Sequence, residues 1–221
     1  MGIRVIVTGA TGMVGEGVLL ECLQNSKVDS VLVAARKPLD LAHPKLKVFV
    51  AADYLLLPED SPELKGYDAC FYCAGISSNG VPEDKYTKIT YDTTLHFAAV
   101  TLRANPQVVF NFVSGYQTDS SEKGRVMWAR VKGKTENALT KMYPKKAFHF
   151  RPALMKPMPG QKQFYGYNLW THKILYPVLR LIWPACSIQE IARAMINATI
   201  VGYEKPILEV SDITQLAAQS P

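Results

Sequence analysis

The fold is decided by the stretch from Val7 to Gly15, which reads Val-Thr-Gly-Ala-Thr-Gly-Met-Val-Gly. It lies between an apolar segment at 4–7 and a segment at 12–23 whose apolar residues have helical spacing. Such a turn suits dinucleotide phosphates, because unpaired N–H groups at a helix N-terminus favour an anion. Gly9 would allow the tight turn, Gly12 would let the backbone approach a pyrophosphate, and Gly15 would let the helix pack closely on the strand.

Apolar strands and helical segments alternate along the chain. Further strands are predicted at 30–35, 46–50, 67–73, 107–113 and 147–150, and long helices at 82–103 and 121–142. This alternation predicts a Rossmann-type α/β fold, in which a doubly wound parallel sheet has helices on both faces.

The domain organisation follows from the same pattern. We expect one NAD(P)-binding domain over residues 1–221, in which 153–221 forms a small substrate-side lid region and the C-terminal elements. Within that part the sequence predicts a loop at 155–166, a helix at 187–200 with Ser187 as its N-cap, and a last strand at 206–210.

Composition excludes several classes of protein. Of 221 residues, 48% are hydrophobic and 20% charged, with a formal net charge of +6, which is ordinary for globular proteins. The absence of a signal-peptide pattern and of about 18 consecutive apolar residues leads us to expect a cytoplasmic protein. Cys70-x-x-Cys73 lies in a predicted strand, where odd spacing points the thiols to opposite faces, so no metal is expected. The basic residues form no stripe that would bind nucleic acid.

The end of the second predicted strand is basic where an NAD site usually has an acid. It reads Ala34-Ala35-Arg36-Lys37, whereas an Asp or Glu for the ribose 2′-hydroxyl is typical of NAD. A guanidinium beside an ammonium suits a 2′-phosphate. Arg36 and Lys37 therefore favour NADP(H) as the cofactor, with NAD(H) as the alternative. If the two residues have no role in binding, they simply form a solvated basic loop.

Five short motifs lie at the predicted strand ends and on the second long helix. They are Thr8 to Gly15, Cys73-Ala74-Gly75, Val113-Ser114-Gly115, Arg130 to Glu136 and Phe150-Arg151-Pro152. Together they resemble the short-chain dehydrogenase/reductase superfamily, and within it the atypical branch of NAD(P)-binding, epimerase-like proteins. The resemblance covers nearly the whole chain, and Arg-Val-Lys-Gly-x-x-Glu is its most specific motif.

The resemblance implies a set of cofactor-binding residues. Asp53 would cap the adenine amino group, Cys73-Ala74-Gly75 would lie against the adenosine ribose, and Arg151-Pro152 would border the nicotinamide. Lys132 would bond the nicotinamide ribose. The remaining residues belong to the glycine turn and would bind the phosphates: Gly9, Thr11, Gly12, Met13, Val14 and Gly15.

The resemblance also implies catalytic residues, with one departure. Ser114 would polarise a substrate carbonyl, and Lys132 would assist a tyrosine four residues before it on the same helix face. That position is Trp128, whose indole donates a hydrogen bond but does not ionise near neutral pH. Trp128 would either stack on nicotinamide or substrate or pack as a core aromatic, and Tyr116 is a candidate substitute for the tyrosine.

Two functions follow from these residues. One is an NADP(H)-dependent oxidoreductase or epimerase-like enzyme acting on a small, apolar carbonyl substrate through Ser114, Lys132 and Trp128. The other is a non-catalytic NADP(H)-binding regulatory or redox-sensing protein, whose partner would be another protein. The aromatic segment 164–184 would form a lid over the nicotinamide end or, as the alternative, contact a membrane surface. The oligomeric state is left open.

Overall fold

A computed structural model describes residues 2–163, 176–177, 179–180 and 182–219. Its strands are β1 (Ile3–Thr8), β2 (Val28–Ala35), β3 (Leu46–Val50), β4 (Ala69–Tyr72), β5 (Val109–Val113), β6 (Ala147–Phe150), β7 (Leu154–Lys156), β8 (Ala185–Ser187) and β9 (Ile207–Leu208). Its α-helices are α1 (Met13–Gln24), α2 (Glu83–Thr87), α3 (Thr93–Ala104), α4 (Met127–Met142), α5 (Ile188–Val201) and α6 (Val210–Ala217).

Seven of the nine described strands form a parallel sheet in the order β3-β2-β1-β4-β5-β6-β9. The chain runs outward from β1 to β3 and then crosses to β4 on the other side of β1. This reversal is the topological switch point of a doubly wound sheet, and ligands of such folds bind outside the carboxyl ends of the strands there. The predicted Rossmann-type fold is confirmed.

Helices cover both faces of the sheet. One buried cluster joins the sheet to α1, α5 and α6, and the other joins it to α3 and α4. Val5, Ile6 and Val7 of the central strand are completely buried, because a parallel sheet between two helical layers leaves neither face in water. This burial explains the continuous apolar runs in the sequence.

The capping and cysteine predictions also agree with the structure. The Ser187 hydroxyl accepts the N–H of Glu190 at 3.1 Å, and the Glu190 carboxylate accepts the N–H of Ser187 at 2.6 Å, which starts α5 as a capping box. Cys70 packs in the cluster on one face of the sheet, whereas Cys73 packs against the cluster on the other. Among the described residues, no helix is long and apolar enough to cross a membrane.

Two of the predicted elements have wrong boundaries, and one predicted helix contains an irregular turn. The helix expected at 121–142 begins at Met127, because the Asp119 carboxylate accepts the N–H groups of Ser121 at 3.0 Å and Gly124 at 2.6 Å and so holds a turn. The helix expected at 82–103 contains a π-helical turn, Lys88–Asp92. The loop expected at 155–166 starts within β7, which pairs with β8 in a separate two-stranded sheet. Most of the segment 164–184 lies outside the described residues.

The backbone of the turn before α4 lies in close contact with the helix. A Cβ on Gly133 would lie 1.8 Å from the carbonyl oxygen of Asp119. Only a glycine allows this approach, so the glycine of the Arg-Val-Lys-Gly motif has a packing role.

Gly133→Ala is expected to lower the free energy of unfolding by about 1–3 kcal/mol, because the 119–120 backbone must move away from α4. Urea unfolding followed by circular dichroism measures the change. The control is Gly75→Ala, since no atom lies within 4 Å of the position of its Cβ. Equal midpoints for the two variants would contradict the close approach.

Candidate functional site

The glycine turn is shaped by close backbone contacts. Gly9 has φ +70°, and a Cβ there would lie 2.6 Å from the carbonyl oxygen of Cys73. A Cβ on Gly15 would lie 2.1 Å from the carbonyl oxygen of Gly9. A Cβ on Gly12 would meet one atom of the described residues within 4 Å apart from its chain neighbours, the Gly9 oxygen at 3.3 Å, so the side away from that oxygen is open there. Gly9 and Gly15 therefore shape the turn, whereas Gly12 leaves room in front of it.

The buried Thr8 hydroxyl joins the turn to the neighbouring strand. Its Oγ1 accepts the N–H groups of Cys73 and Ala74, both at 3.1 Å. These bonds hold the ends of β1 and β4 together at the switch point and position the Cys73-Ala74-Gly75 turn. Sequence reasoning gave Thr8 no role, although its signal was a hydroxyl directly after the apolar run Val5-Ile6-Val7.

The N-terminus of α1 carries donors without partners. Gly12 is the N-cap and supplies no side-chain cap, while Glu16 N–H donates to Gly12 O at 2.9 Å. Among the described residues, nothing accepts a hydrogen bond from the N–H groups of Met13, Val14 and Gly15. Together with the open side of Gly12, these donors fit a phosphate group. Thr11 is exposed at the same turn.

The predicted adenosine-side residues lie at the same edge of the sheet. Arg36 and Lys37 directly follow β2 and are exposed. Asp53 follows β3 and is also exposed, and its Oδ1 accepts the N–H of Leu55 at 2.9 Å, so one carboxylate oxygen already caps a short 3₁₀ turn. Because β2 is the neighbour of β1 and β3 lies beyond β2, Arg36 and Lys37 follow the strand beside the glycine turn and Asp53 follows the strand one further out.

The Ser114 hydroxyl is held by a threonine that sequence reasoning missed. Ser114 is buried just after β5, and its Oγ lies 2.7 Å from Oγ1 of Thr118. Thr118 in turn donates to the carbonyl oxygen of Gly115 at 2.7 Å. A hydroxyl has one hydrogen, so in this arrangement Ser114 donates to Thr118 and offers only lone pairs elsewhere.

The structure brings Lys132 to Ser114. Its Nζ donates to the carbonyl oxygen of Ser114 at 2.6 Å and reaches that of Val113 at 3.4 Å. Burial lowers the pKa of Lys132 to about 8, while the nearby Glu136 carboxylate acts in the opposite direction. Two carbonyls engage two of its three hydrogens, which leaves one for a ligand.

Aromatic rings lie beside Ser114. Trp128 is half-buried, and a Cβ on Gly115 would lie 3.6 Å from its Cζ3. Tyr116 is held by its N–H, which donates to Pro152 O at 2.9 Å, and its ring meets that of Trp183 edge-on at 6.4 Å between centroids. Trp183 is half-exposed. Trp128 is thus neither fully buried in the core nor remote from the serine.

The guanidinium of Arg151 is engaged in structural contacts. It donates to both oxygens of Glu136, at 3.0 and 2.5 Å, to Ser120 Oγ at 2.6 Å and to Glu209 at 3.3 Å. Despite burial, these carboxylates raise the pKa of Arg151. Glu136 lies one helical turn after Lys132, so the ion pair anchors α4 with Lys132 facing β5. The side chain of Arg151 therefore stabilises the site, and Pro152 beside it is buried.

Glu136→Ala is expected to lower the free energy of unfolding by about 3 kcal/mol, because it leaves the buried Arg151 charge without its main partner. Glu209→Ala is the matched control, since the Glu209 side chain is 41% exposed. Its loss should cost about 1 kcal/mol, because it also removes the N-terminal cap of α6. Chemical denaturation measures both. Equal losses would show that the buried pair does not dominate this contact.

Comparison with known proteins supports the fold. No family model matches the chain. Leucinostatins biosynthesis cluster protein T of Purpureocillium lilacinum is 24% identical over 237 residues, covering 89% of this chain and 85% of that protein. UDP-N-acetylglucosamine 4-epimerase from Methanobrevibacter ruminantium M1 superimposes with a TM-score of 0.69 at 17% identity, over 94% of this chain and 76% of the epimerase.

Two further solved structures have the same architecture. Uronate dehydrogenase from Agrobacterium tumefaciens has a TM-score of 0.64 at 19% identity, over 94% of this chain and 76% of the enzyme. The Bordetella bronchiseptica enzyme WbmF, in complex with NAD+, has a TM-score of 0.65 at 15% identity, over 98% of this chain and 76% of WbmF. The chain therefore has the Rossmann-type fold of these epimerase and dehydrogenase structures, which confirms at the level of the fold the resemblance drawn from its motifs.

Proposed function

We propose that the chain is an NADP(H)-dependent oxidoreductase or epimerase-like enzyme that acts on a small, apolar carbonyl compound. The observation that carries the proposal is the meeting of Lys132 with Ser114 at the same sheet edge as the unpaired N-terminus of α1. An anion site for the cofactor, an ammonium group on the Ser114 backbone carbonyl and the nearby Ser114 hydroxyl are groups that such an enzyme uses. The solved relatives are epimerase and dehydrogenase enzymes, and WbmF is in complex with NAD+.

The cofactor assignment follows from charge. The N–H groups of Met13, Val14 and Gly15 would bind the pyrophosphate. No acidic side chain follows β2 directly, and the exposed Arg36 and Lys37 would bind a 2′-phosphate. We therefore assign NADP(H) rather than NAD(H).

Arg36→Ala is expected to weaken NADPH binding about tenfold, because a charge-assisted contact to phosphate is lost, and to leave NADH binding unchanged. Fluorescence titration of both nucleotides measures the two dissociation constants. Arg103→Ala is the control, since Arg103 is exposed in the last turn of α3 and pairs with Glu59. Equal NADPH affinity before and after Arg36→Ala would contradict the assignment.

The residues around Ser114 would orient the substrate. A nicotinamide, when bound, donates or accepts a hydride. The third Lys132 hydrogen would bond the nicotinamide ribose, and the Ser114 hydroxyl would donate to a carbonyl oxygen once Thr118 turns its own hydrogen from Gly115 O to Ser114. The rings of Trp128, Tyr116 and Trp183 line this side and favour an apolar substrate. The proton would come from water or a substitute group.

Two observations favour a second function, a non-catalytic NADP(H)-binding regulatory or redox-sensing protein. Trp128 stands where the resemblance calls for an ionisable tyrosine, and Ser114 already donates to Thr118 in the present arrangement. Such a protein would keep the cofactor contacts and bind a protein partner. For either function we propose a cytoplasmic location and one NAD(P)-binding domain, with 153–221 on the substrate side.

Trp128→Tyr is expected to increase NADPH oxidation at least about tenfold against a panel of aliphatic and aromatic aldehydes and ketones, because it restores an ionisable proton donor. Trp128→Phe is the matched control, since it changes the ring and adds no hydroxyl. Absorbance at the NADPH band measures the rate. If both variants and the parent bind NADPH but none turns over, the non-catalytic function replaces the enzyme.

A further inference from the structure

The loop at 158–163, from the second half of the chain, is hydrogen-bonded to the first turns of α1. The Glu16 carboxylate accepts the N–H of Lys162 on both oxygens, at 2.9 and 3.0 Å, and the N–H of Gln163 at 2.6 Å. Glu16 and Lys162 are 146 residues apart in sequence. We call these three bonds the Glu16 tether.

Gln161 and Gly17 complete the same contact. The buried Gln161 amide donates to the carbonyl oxygen of Met13, and its Oε1 accepts the N–H of Met158 at 3.1 Å. A Cβ on Gly17 would lie 3.0 Å from Gln161 Oε1 and 2.4 Å from Cγ2 of Ile188. Gly17 therefore makes room for the loop, which lies on the helix face that carries Met13 and Glu16.

The contact lies next to the free N–H groups. Met13 supplies an unpaired N–H to the proposed phosphate site and a carbonyl oxygen to Gln161. Glu16 is the next residue after Gly15, the last residue with an unpaired N–H. The loop at 158–163 and a phosphate would thus share the first turn of α1.

We propose that Glu16 is a positioning residue of the dinucleotide site, and that docking of the 158–163 loop through the Glu16 tether and binding of a dinucleotide strengthen each other. The inference rests on the proposed function, because it needs a dinucleotide on α1. Reciprocity follows from linkage: if the docked loop favours the ligand, the ligand favours the docked loop to the same extent. A loop that spends only part of its time docked lowers the apparent affinity by that fraction.

The direction in which NADPH affinity changes when Glu16 is removed distinguishes a positioning role from a purely electrostatic one. A carboxylate beside a phosphate site repels the ligand, so a Glu16 that acted through its charge alone would weaken binding. Its removal would then tighten NADPH binding. A Glu16 that acts through the loop has the opposite effect, and its removal weakens NADPH binding.

Binding of NADPH to the full chain tests this sign. Glu16→Ala is expected to raise the NADPH dissociation constant about fivefold, and Glu16→Gln less, because its amide oxygen still accepts one N–H. Glu63→Ala, which removes an equal charge from an exposed position in a short 3₁₀ turn, should leave the constant unchanged. Unchanged or tighter binding by Glu16→Ala overturns the inference and leaves dinucleotide binding intact.

The rate of limited trypsin digestion measures how often the 158–163 loop leaves α1. Trypsin cuts after Lys162, and the N–H of that peptide bond belongs to Gln163, which donates to Glu16. We expect Glu16→Ala to speed this cut, mapped by mass spectrometry, and NADPH to slow it in the parent chain but not in Glu16→Ala. If NADPH binds yet leaves the cut in the parent chain unaffected, the coupling is overturned. If neither NADPH nor NADH binds the parent, the proposed function fails, and the coupling fails with it.

Discussion

The close approach of β1 to β4 at their carboxyl ends is the constraint on which the candidate site depends. Thr8 Oγ1 accepts two N–H groups from the β4 turn at 3.1 Å, and Gly9 has no room for a Cβ against Cys73. The chain must therefore turn sharply at Gly9, and Gly15 must pack on the Gly9 carbonyl. The resulting direction of α1 presents its unpaired N–H groups at the switch point of the sheet, where a dinucleotide phosphate would bind.

A second set of contacts fixes α4 against β5. Gly133 lets the helix meet the backbone at Asp119, and the buried pair of Arg151 with Glu136 anchors its middle. Both contacts hold the helix from which Lys132 reaches the Ser114 carbonyl. The same placement brings Trp128 beside Gly115, so Trp128 lies next to the turn that carries Ser114.

Some elements of this fold leave a clear pattern in the sequence, and others leave none. Strands buried on both faces leave continuous apolar runs, so β1 and β6 could be located from sequence alone. The turn at 121–126 could not, because its residues suit a helix and only the bonds to the Asp119 carboxylate turn the chain away. The three-residue strands β7 and β8 are too short to show any periodicity. Glu16 was not predicted, because its partners become neighbours only in the folded chain. Thr118 was not predicted either, although its partners are only three and four residues away, because it lies in an irregular turn that no periodicity marks.

The sequence by itself determined the sheet, the glycine turn, and the identities of Ser114, Lys132 and Trp128, since these depend on local spacing and on which residues avoid water. Tertiary structure alone decided how the hydroxyl, ammonium and carboxylate groups are used. It committed the Arg151 guanidinium to Glu136, brought the Lys132 ammonium to the Ser114 carbonyl, and joined Glu16 to a loop 146 residues away. The physical reason is that a hydrogen bond is short and directional, so its partner is set by where the packed backbone brings a donor and an acceptor together.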